Sequence, residues 1–371
     1  MIPLNHHLDP LQRSGIRLYT NMAKEVPGCI MLTLGEPDFA TPAPIREAAA
    51  AALAQGLTHY APNQGYLPLR QAIAAFEGVD EDCVLITVGA TGALYTALTG
   101  ILNPGDEVIV PQPAFSLYET IATAAGATTV KLDTTADGFQ ITGDALEKVM
   151  TEKTKAIVIN SPNNPTGAVY SRQSLDAVRQ AVLGKNIFVI CDDVYDRLSY
   201  DDCPNLSRDP QLRPQVLLCQ SFSKPWSMTG WRIGYLVAPK EVLQRLLLLH
   251  AAEVAAVPTF LQAACVTALK TDVSAMKEEY RRRRDYVLSR LTKMGLSCPY
   301  PAGAFYAFAD ISRFGLSSDE FCTRLIREIG VATVPGSCFG AEGYLRLSYC
   351  CAMEDLAEGL DRLEAFLRKL G

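Results

Sequence analysis

The strongest constraint on the fold is a series of short apolar runs that alternate with longer segments of helical period. Each run is rich in Val, Ile and Leu, and its apolar residues are continuous, as in strands covered on both faces. The runs occupy residues 84–88, 107–110, 156–159, 187–190, 216–219 and 233–237. Helical segments such as 90–102 and 171–183 lie between several of them. The sequence therefore predicts an α/β domain in which helices sandwich a mostly parallel sheet.

The pattern changes near Pro258, and the C-terminal third predicts a smaller α+β domain. A long helix is expected over residues 260–293 with a break around 270–272, and a last helix over 353–370. Short strands are expected at 305–308, 331–334 and 345–348. A chain of 371 residues suffices for two cores. The predicted division is 1–40 for an arm that joins the small domain, 41–258 for the large domain and 259–371 for the small domain.

The charge balance excludes one broad class of function. The chain carries 34 Lys and Arg against 40 Asp and Glu, a net charge of −6 with a pI near 5.4. Proteins that bind nucleic acid through its phosphates usually present a basic field. The basic run from Arg281 to Arg284 is flanked by acidic residues and predicts a solvated, salt-bridged helix face. We therefore expect no nucleic-acid partner.

Cysteine usage and the apolar runs predict the compartment. The eleven cysteines form no CxxC pair and no His/Cys cluster at zinc spacing, so no metal site is expected. An odd count without a disulfide framework is typical of a reducing cytosol. No apolar stretch reaches about 18 residues, and the N-terminus has no basic segment followed by an apolar core. The prediction is a cytoplasmic protein without a membrane partner.

Lys224 carries the most specific chemical signal. It lies just after the apolar run 216–219, where an ammonium group is poorly solvated, and Arg232 follows eight residues later. Burial and a neighbouring cation both lower the pKa of a lysine, which is what a Schiff-base lysine requires. The hydroxyls of Ser221 and Ser223 and the guanidinium of Arg232 suit a phosphate. These residues indicate a lysine that holds pyridoxal phosphate, although a lysine in a polar surface loop has the same local pattern.

Polar residues also follow the carboxyl ends of three other predicted strands, where ligands bind in open α/β sheets. The turn at 89–92 is either a phosphate cradle or an ordinary tight loop, and residues 160–167 have the composition of a turn. Asp192, after the run 187–190, would either cap a helix or keep its charge beside a cation such as a protonated pyridine nitrogen. Four strands thus bring four kinds of polar group to one edge.

These motifs, in this order, resemble those of the class I/II aminotransferases, the fold-type-I family of pyridoxal-phosphate enzymes. The resemblance covers essentially the whole chain. It rests on LGEPDFATP at 34–42, HYAPNQGYLPLR at 59–70, GATGAL at 89–94, NSPNNPTG at 160–167, DDVY at 192–195, SFSKPWSMTGWRIG at 221–234 and YLRLSY at 344–349. It implies a large domain of the fold-type-I pyridoxal-phosphate transferases beside the small one. The implied activity is a ping-pong transfer of an amino group from an amino acid to a 2-oxo acid.

The resemblance also implies roles at the cofactor ring. Lys224 is similar to the lysine that forms the internal aldimine and, once freed, moves the proton between Cα and C4′. Asp192 resembles the carboxylate that keeps the pyridine nitrogen protonated. Tyr195 and Asn164 resemble the donors to the phenolic oxygen. Phe115 lies where the family stacks an aromatic ring on the pyridine.

The cofactor phosphate has its own implied contacts. Ala90 through its N–H, Thr91, Ser221 and Arg232 resemble the phosphate cup of the family. Tyr60 is similar to the tyrosine that reaches the phosphate of the neighbouring subunit. The resemblance therefore implies a homodimer in which each active site is completed by the other chain.

The substrate contacts implied by the resemblance come from the small domain and the arm. Arg346 resembles the arginine that grips the substrate α-carboxylate, because a planar fork meets a carboxylate with two parallel hydrogen bonds, and Asn164 is expected to contact the same carboxylate. Gly35 would lie above the substrate, where a side chain would obstruct it. Ile16 would give the pocket an apolar wall, and Arg17 keeps acidic side chains possible.

Thr91 departs from one branch of the family. Some bacterial aspartate aminotransferases carry a lysine at this position of the glycine turn, which holds the distal carboxylate of the substrate. With Thr91 there, neutral, aromatic or sulfur-containing amino donors are expected in preference to strictly aspartate.

Two alternatives to an aminotransferase remain open from the sequence. A pyridoxal-phosphate lyase, such as a C–S β-lyase, would keep Lys224, Asp192 and Arg346. A sensor domain of the kind fused to transcription regulators would need a basic DNA-binding module, for which this chain has no residues to spare.

Overall fold

In the computed structural model, which describes Ile2 and residues 4–370, strands and helices alternate through the large domain as the sequence predicts. The strands are β1 (Ile30–Met31), β2 (Val84–Thr87), β3 (Glu107–Gln112), β4 (Thr128–Asp133), β5 (Thr154–Asn160), β6 (Phe188–Asp192), β7 (Val216–Ser221), β8 (Gly234–Val237), β9 (Tyr306–Asp310), β10 (Val331–Ala332), β11 (Val334–Pro335) and β12 (Tyr344–Ser348). The helices are α1 (Gly15–Lys24), α2 (Ala43–Ala54), α3 (Leu67–Glu77), α4 (Gly89–Ile101), α5 (Leu117–Ala124), α6 (Gly143–Val149), α7 (Arg172–Val182), α8 (Lys240–Val254), α9 (Thr259–Ala268), α10 (Ser274–Lys293), α11 (Ser318–Arg324) and α12 (Met353–Leu370).

The large sheet has the strand order β2-β8-β7-β6-β5-β3-β4. Strands β7, β6, β5, β3 and β4 are parallel, while β8 runs antiparallel to both of its neighbours, β2 and β7. The predicted mostly parallel sheet is confirmed. Because β8 alone is reversed, β2 points in the same direction as β7, and its carboxyl end lies at the same edge of the sheet.

Both faces of this sheet are covered, which explains the continuous apolar runs. Along β5, Ile157 and Ile159 belong to the core on one face, whereas Ala156 and Val158 belong to the core on the other. Each strand therefore needs apolar residues at every position. Strand β4 is missing from the sequence prediction because its sequence, TTVKLD, is largely polar. It lies at the edge of the sheet, and only one of its six residues is buried.

The predicted helices 90–102 and 171–183 correspond to α4 and α7. The hydroxyl of Ser171 caps α7 by accepting a hydrogen bond from the backbone N–H of Ser174, at 3.1 Å. Helix α4 begins at Gly89, directly after β2. Within the described residues, none of the helices combines the length and the apolar character that a bilayer crossing requires.

The small domain contains a three-stranded antiparallel sheet in the order β11-β12-β9. The predicted strand 331–334 is divided, because β10 pairs in parallel with β1 of the arm while β11 pairs with β12. The side chains of Tyr19, Ala23, Ile30 and Leu32 share one core with the small domain. The arm therefore packs on this domain, and the assignment of residues 1–40 to it stays a prediction.

The domain boundaries stay a prediction. The packing of α9 and α10 favours a boundary later in the chain than residue 259. The long helix expected over 260–293 is two helices, α9 and α10, separated by residues 269–273. Ala264 and Cys265 of α9 belong to the core of the large domain, whereas Tyr280 and Val287 of α10 belong to the core of the small domain. We propose that the boundary lies in the turn at 269–273 and not at residue 259.

Candidate active site

A cavity of about 530 Å³ lies at the carboxyl edge of the large sheet, where the sheet meets the arm and the small domain. Strands β2, β5, β6 and β7 all end at this edge, so the residues that follow them converge there. Of the residues that the sequence predicts for the site, the wall contains Ile16, Gly35, Ala90, Thr91, Phe115, Asn164, Asp192, Tyr195, Ser221, Ser223, Lys224, Arg232 and Arg346.

Tyr60 is the predicted site residue that lies elsewhere. Its side chain is 93% exposed, and it lines a separate surface hollow with His59 and Phe260. The chain that carries Tyr60 therefore does not bring it into its own cavity. Its contact with the phosphate of a second subunit stays a prediction.

Lys224 projects into the cavity from the turn after β7. Its Nζ donates a hydrogen bond to the backbone carbonyl of Gly35 at 2.7 Å. Burial lowers the pKa of Lys224 to about 8, and the guanidinium groups of Arg232 and Arg346 act in the same direction. At pH 7 roughly a tenth of such an amine is neutral and can react as a nucleophile.

Asp192 ends β6 and is buried, with 4% of its surface exposed. The hydroxyl of Tyr118 donates to its Oδ2 at 2.6 Å. Burial raises the pKa of Asp192 to about 6, and the hydrogen bond from Tyr118 opposes that rise. Its other oxygen, Oδ1, is buried and has no hydrogen-bond partner among the described residues. A buried acceptor without a donor is unfavourable, so this carboxylate is suited to a cationic N–H group in the cavity.

The glycine turn after β2 is packed against the backbone of β8. Gly89 has a φ of +67°, in the left-handed region that favours glycine, and it starts α4. A Cβ on Gly234 would lie 2.9 Å from the backbone nitrogen of Ala90 and 2.4 Å from the carbonyl oxygen of Gln220. The first turn of α4 and its free N–H groups are therefore held at the cavity wall, where a helix N-terminus favours an anion.

Arg232 lies against the same turn. It has a φ of +53°, which is strained for a residue with a side chain, and its Nη1 donates to the carbonyl of Thr229 at 3.0 Å. A Cβ on Gly89 would lie 2.9 Å from its Nη2. Nearby, the backbone N–H of Ser223 donates to Oγ of Ser221 at 3.0 Å. A guanidinium, two hydroxyl side chains and a helix N-terminus thus share one end of the cavity.

Arg346 enters the cavity from β12 and is only 1% exposed. Its Nη1 donates to Oδ1 of Asn164 at 2.8 Å, its Nη2 donates to the carbonyl of Thr33, and its Nε is buried without a partner. The guanidinium lies 4.5 Å from the ring centre of Tyr306. No carboxylate among the described residues pairs with it. A buried guanidinium of this kind is suited to a carboxylate ligand.

Tyr195 and Gly35 meet at Tyr306. The hydroxyls of Tyr195 and Tyr306 are 2.9 Å apart, and burial raises the pKa of Tyr195 well above its usual value, so it stays a neutral hydroxyl. A Cβ on Gly35 would lie 1.8 Å from the hydroxyl oxygen of Tyr306. The family resemblance implies that a side chain at Gly35 would obstruct the substrate, whereas the first group it would meet is this hydroxyl.

The residues of the cavity wall that were not predicted from the sequence include Tyr118, Tyr306 and Asn160. Tyr118 and Tyr306 stand in apolar surroundings in the sequence and look like core aromatics, although both line the cavity. Asn160 donates from its side-chain amide to the carbonyl of Asp192 at 2.8 Å, and accepts from the N–H of Asn164 at 2.9 Å. Its position as the first residue of the motif at 160–167 was an available signal.

Comparison with known proteins agrees with this geometry. A profile of the family described as Aminotransferase class I and II matches residues 27–363 of the chain. The chain belongs to this family. It is 42% identical to a probable N-acetyl-LL-diaminopimelate aminotransferase of Bacillus subtilis, with 99% of this chain and 97% of that protein covered. It is 39% identical to aromatic-amino-acid aminotransferase 2 of Thermococcus litoralis, with 99% and 98% covered.

The solved structures give the same assignment for the fold. The aspartate aminotransferase of Thermus thermophilus with maleate has a TM-score of 0.94 at 36% identity, with 98% of this chain and all of that chain (100%) covered. The predicted family and fold-type-I class are therefore confirmed. The protein is an aminotransferase, and because its family is dependent on pyridoxal phosphate, this is its cofactor.

The residues present fit pyridoxal phosphate. The orphaned Oδ1 of Asp192 is a buried acceptor for a protonated ring nitrogen. The start of α4 and Arg232 offer N–H groups to a phosphate, and the lowered pKa of Lys224 suits an amine that condenses with an aldehyde.

The hydrogen bond from Tyr118 to Asp192 generates a prediction. Tyr118→Phe removes the donor that opposes the effect of burial, so the pKa of Asp192 should rise further above about 6. Because only the carboxylate form attracts a pyridinium, cofactor affinity should fall as pH decreases through this pKa, and the fall should begin at a higher pH in the variant. If the hydrogen bond contributes about 1.4 kcal/mol to the carboxylate form, binding should be only about twofold weaker at pH 7 and should approach tenfold weaker near pH 5, in titrations of the apoenzyme with pyridoxal phosphate.

Tyr170→Phe is the matched control. Tyr170 is also a buried tyrosine, but it belongs to the core of the large domain and does not line the cavity. The same weakening in both variants would mean that loss of a buried hydroxyl, and not its bond to Asp192, is responsible.

Proposed function

We propose that the enzyme moves the amino group of an L-amino acid to a 2-oxo acid in a ping-pong sequence, and that it uses neutral, aromatic or sulfur-containing donors in preference to strictly aspartate. The observation that carries the proposal is the convergence of three incompletely paired groups on one cavity. They are the amine of Lys224 with its lowered pKa, Oδ1 of Asp192 and the guanidinium of Arg346. An aldehyde cofactor with a basic ring and an amino acid with an α-carboxylate would complement all three.

Arg346 is proposed to bind the α-carboxylate of the donor. Its guanidinium lacks an anionic partner among the described residues, and the contacts with Asn164 and Thr33 hold its plane in a fixed orientation. A fixed fork loses little freedom when a carboxylate binds to it. Asn164, whose Oδ1 accepts a hydrogen bond from Nη1 of Arg346, is proposed to contact the same carboxylate or the phenolic oxygen of the cofactor.

The proton transfer is assigned to Lys224. Pyridoxal phosphate, when bound, supplies an aldehyde that condenses with amines and a ring that withdraws electrons from the α-carbon. Nζ of Lys224 is proposed to take the proton from the α-carbon and to return it at C4′, which needs an amine that is partly neutral near pH 7. Its hydrogen bond to the carbonyl of Gly35 gives it a resting orientation in the cavity.

Other residues are proposed to hold the ring and the phosphate. Asp192 would keep the ring nitrogen protonated, and Tyr195 would donate its hydroxyl to the phenolic oxygen. Phe115 would stack on the ring. Phosphate contacts are proposed for Ala90, Thr91, Ser221, Ser223 and Arg232.

The proposed donor preference rests on three residues that line the cavity. Thr91 adds no charge to the glycine turn, and Ile16 and Leu117 add apolar surface to the cavity. Names of similar proteins include both aromatic-amino-acid and aspartate aminotransferases. An apolar wall without a lysine at position 91 favours neutral side chains.

The proposal of a homodimer rests on the position of Tyr60. Its nearly complete exposure in the single chain leaves the hydroxyl free to enter the cavity of a second copy.

A cytoplasmic location is also proposed. The eleven cysteines are all free thiols, which supports the expected reducing, cytoplasmic setting.

Substitution of Lys224 tests the central assignment. Lys224→Ala should abolish the absorbance band of the covalently held cofactor. It should also lower turnover by roughly 100- to 10,000-fold, because the proton acceptor is lost. The assay is a screen of amino donors against 2-oxoglutarate and pyruvate, with detection of the new 2-oxo acid. Lys240→Ala, at an exposed ion pair with Asp82, serves as the control and should keep full activity.

The same screen examines the ping-pong sequence and the lyase alternative. With a donor alone, the wild-type enzyme should release one 2-oxo acid per site and retain the amine. Unchanged activity of Lys224→Ala would contradict the assignment. Continuous release of pyruvate and ammonia from cystathionine without an acceptor would favour a lyase instead.

Substitution of Arg346 tests the α-carboxylate contact. Arg346→Ala should weaken donor binding by roughly 2–5 kcal/mol, because it removes one partner of a desolvated charge pair. Arg346→Lys keeps the charge but not the planar guanidinium, so its affinity for the donor should lie between those of the wild type and Arg346→Ala. The measurement is the Michaelis constant for each donor, with cofactor affinity and unfolding temperature as controls. A lower unfolding temperature at an unchanged Michaelis constant would indicate a structural role.

Mixed dimers test the proposed contribution of Tyr60. Tyr60→Ala and Lys224→Ala chains are each expected to be nearly inactive as homodimers, because one lacks the phosphate contact and the other lacks the amine. After the two are unfolded and refolded together, half of the active sites in each hybrid should combine an intact Tyr60 with an intact Lys224 on the other chain. No recovery of activity would show that Tyr60 does not act across an interface.

A further inference from the structure

Two buried tyrosine hydroxyls meet in the wall of the catalytic cavity. Tyr195 lies just after β6 of the large sheet, and Tyr306 is the first residue of β9 in the small domain. Their hydroxyl oxygens are 2.9 Å apart. Neither hydroxyl has a second hydrogen-bond partner among the residues that the structure describes. Each of the two tyrosines is therefore the hydrogen-bond partner of the other.

The two hydroxyls carry one proton more than their mutual hydrogen bond uses. Each tyrosine hydroxyl donates one hydrogen bond and can accept others. Burial raises the pKa of Tyr306 to about 12 and that of Tyr195 well above its usual value, so both keep their protons at neutral pH. One proton lies between the two oxygens, and the other has no acceptor in the described part of the chain. This second proton is available to a ligand in the cavity.

The surroundings of Tyr306 favour one direction for the bond. A Cβ on Gly35 would lie 1.8 Å from the hydroxyl oxygen of Tyr306, so the backbone of Gly35 closely covers this oxygen. The carbonyl of Gly35 accepts from Nζ of Lys224 at 2.7 Å and makes no hydrogen bond with Tyr306. Tyr306 therefore has the oxygen of Tyr195 as its acceptor, and the available proton is that of Tyr195.

The ring of Tyr306 is held on several sides. Its centre lies 4.5 Å from the guanidinium of Arg346 and 5.0 Å from the ring centre of Phe305. The ring of Tyr195 packs edge-on against it, with the two ring centres 5.8 Å apart. In the small sheet, Tyr306 is paired with Ser348 of β12, the strand that carries Arg346. A donor whose ring is fixed in this way loses little conformational freedom when it orients another group.

We propose that Tyr306 is a positioning residue for the cofactor: its hydroxyl donates to Tyr195 and thereby directs the proton of Tyr195 to the phenolic oxygen of pyridoxal phosphate. This inference rests on the proposed function, which assigns Tyr195 as a donor to that oxygen. A hydroxyl that accepts one hydrogen bond is a stronger donor in the next, because the bonds of a chain polarise one another. Tyr306 acts on the cofactor only through Tyr195.

The same bond links the two domains at the site. Tyr195 lies in the wall with Asp192 and Lys224 of the large domain, whereas Tyr306 belongs to the strand pair that carries Arg346. The orientation of the cofactor ring is thereby coupled to the position of the group proposed to bind the substrate α-carboxylate.

The test uses two forms of the cofactor that differ only at the phenolic oxygen. Apoenzyme is titrated with pyridoxal phosphate or with 3-deoxypyridoxal phosphate, which keeps the aldehyde and the phosphate, and both dissociation constants are measured by protein fluorescence. Tyr306→Phe should weaken binding of pyridoxal phosphate roughly fivefold, the loss expected for one hydrogen bond of about 1 kcal/mol. Binding of the deoxy analogue should not change.

Two further variants complete a double-mutant cycle. Tyr195→Phe should also weaken binding of pyridoxal phosphate and leave binding of the deoxy analogue unchanged. The double variant of Tyr195→Phe and Tyr306→Phe should bind pyridoxal phosphate as Tyr195→Phe does, because Tyr306 acts through Tyr195.

Tyr349→Phe is the matched control. Tyr349 is a buried tyrosine of the small domain whose hydroxyl donates to the carbonyl of Ala304 at 3.4 Å, and it does not line the cavity. This variant should bind both forms of the cofactor as wild type does. A fivefold loss for pyridoxal phosphate here as well would mean that any buried hydroxyl of the domain has this effect, which would overturn the assignment.

The outcomes separate this inference from the proposed function. If Tyr306→Phe weakens both cofactor forms equally, or neither, while Tyr195→Phe keeps its selective loss, the role of Tyr306 is overturned and that of Tyr195 stands. Absence of selectivity in Tyr195→Phe would overturn the proposed contact with the phenolic oxygen, and the role of Tyr306 with it. A double variant that binds more weakly than Tyr195→Phe would overturn the action of Tyr306 through Tyr195. Absence of amine transfer with every substrate pair would overturn the proposed function and leave these binding constants unaffected.

Discussion

The direction of the strands in the large sheet determines the chemistry of the site. Strands β5, β6 and β7 end at one edge because they are parallel, and β2 ends there too because β8, which lies between β2 and β7, is antiparallel to both. A glycine turn, an asparagine motif, Asp192 and Lys224 are therefore neighbours in space although they lie far apart in sequence. Gly234 of β8 lies in close contact with the backbone of Ala90. Strand β8 must therefore fit tightly between its neighbours if these groups are to meet at one edge. A side chain at Gly234 would separate the glycine turn after β2 from the sheet.

The charged groups of the site are kept apart by neutral side chains. Asp192 is satisfied on one oxygen by Tyr118, and Arg346 is oriented by Asn164 and by a backbone carbonyl, so that neither charge neutralises the other. Among the residues that the structure describes, Oδ1 of Asp192 and Nε of Arg346 have no hydrogen-bond partner. A buried polar atom without a partner is unfavourable in the free protein, and a ligand of opposite charge that paired with it would remove this cost. Pairing of these two atoms would therefore contribute to the binding free energy of a charged ligand.

The continuous apolar runs were sufficient to predict the large sheet, because strands buried on both faces have a distinctive pattern. The polar residues after Val88, Ile159, Ile190 and Cys219 could be assigned to one edge by topology alone. Other features depend on tertiary contacts that leave no local pattern. Strand β4 is polar because it lies at an edge, and Tyr118 and Tyr306 look like core residues until the fold places their hydroxyls beside Asp192 and Tyr195. Helix α9 packs in the core of the large domain, and the periodicity of its sequence does not reveal which domain it packs against.

The pairing of the arm with the C-terminal domain has a consequence for biosynthesis. Strand β1 of the arm pairs with β10, about 300 residues later in the chain. At typical rates of translation, roughly 15 to 60 seconds separate the emergence of the two strands from the ribosome. The sheet of the large domain can form during this interval, but the arm that carries Ile16 and Arg17 has no partner until synthesis is almost finished. The newly made chain can therefore form the glycine turn and the large sheet well before the arm completes the wall of the cavity.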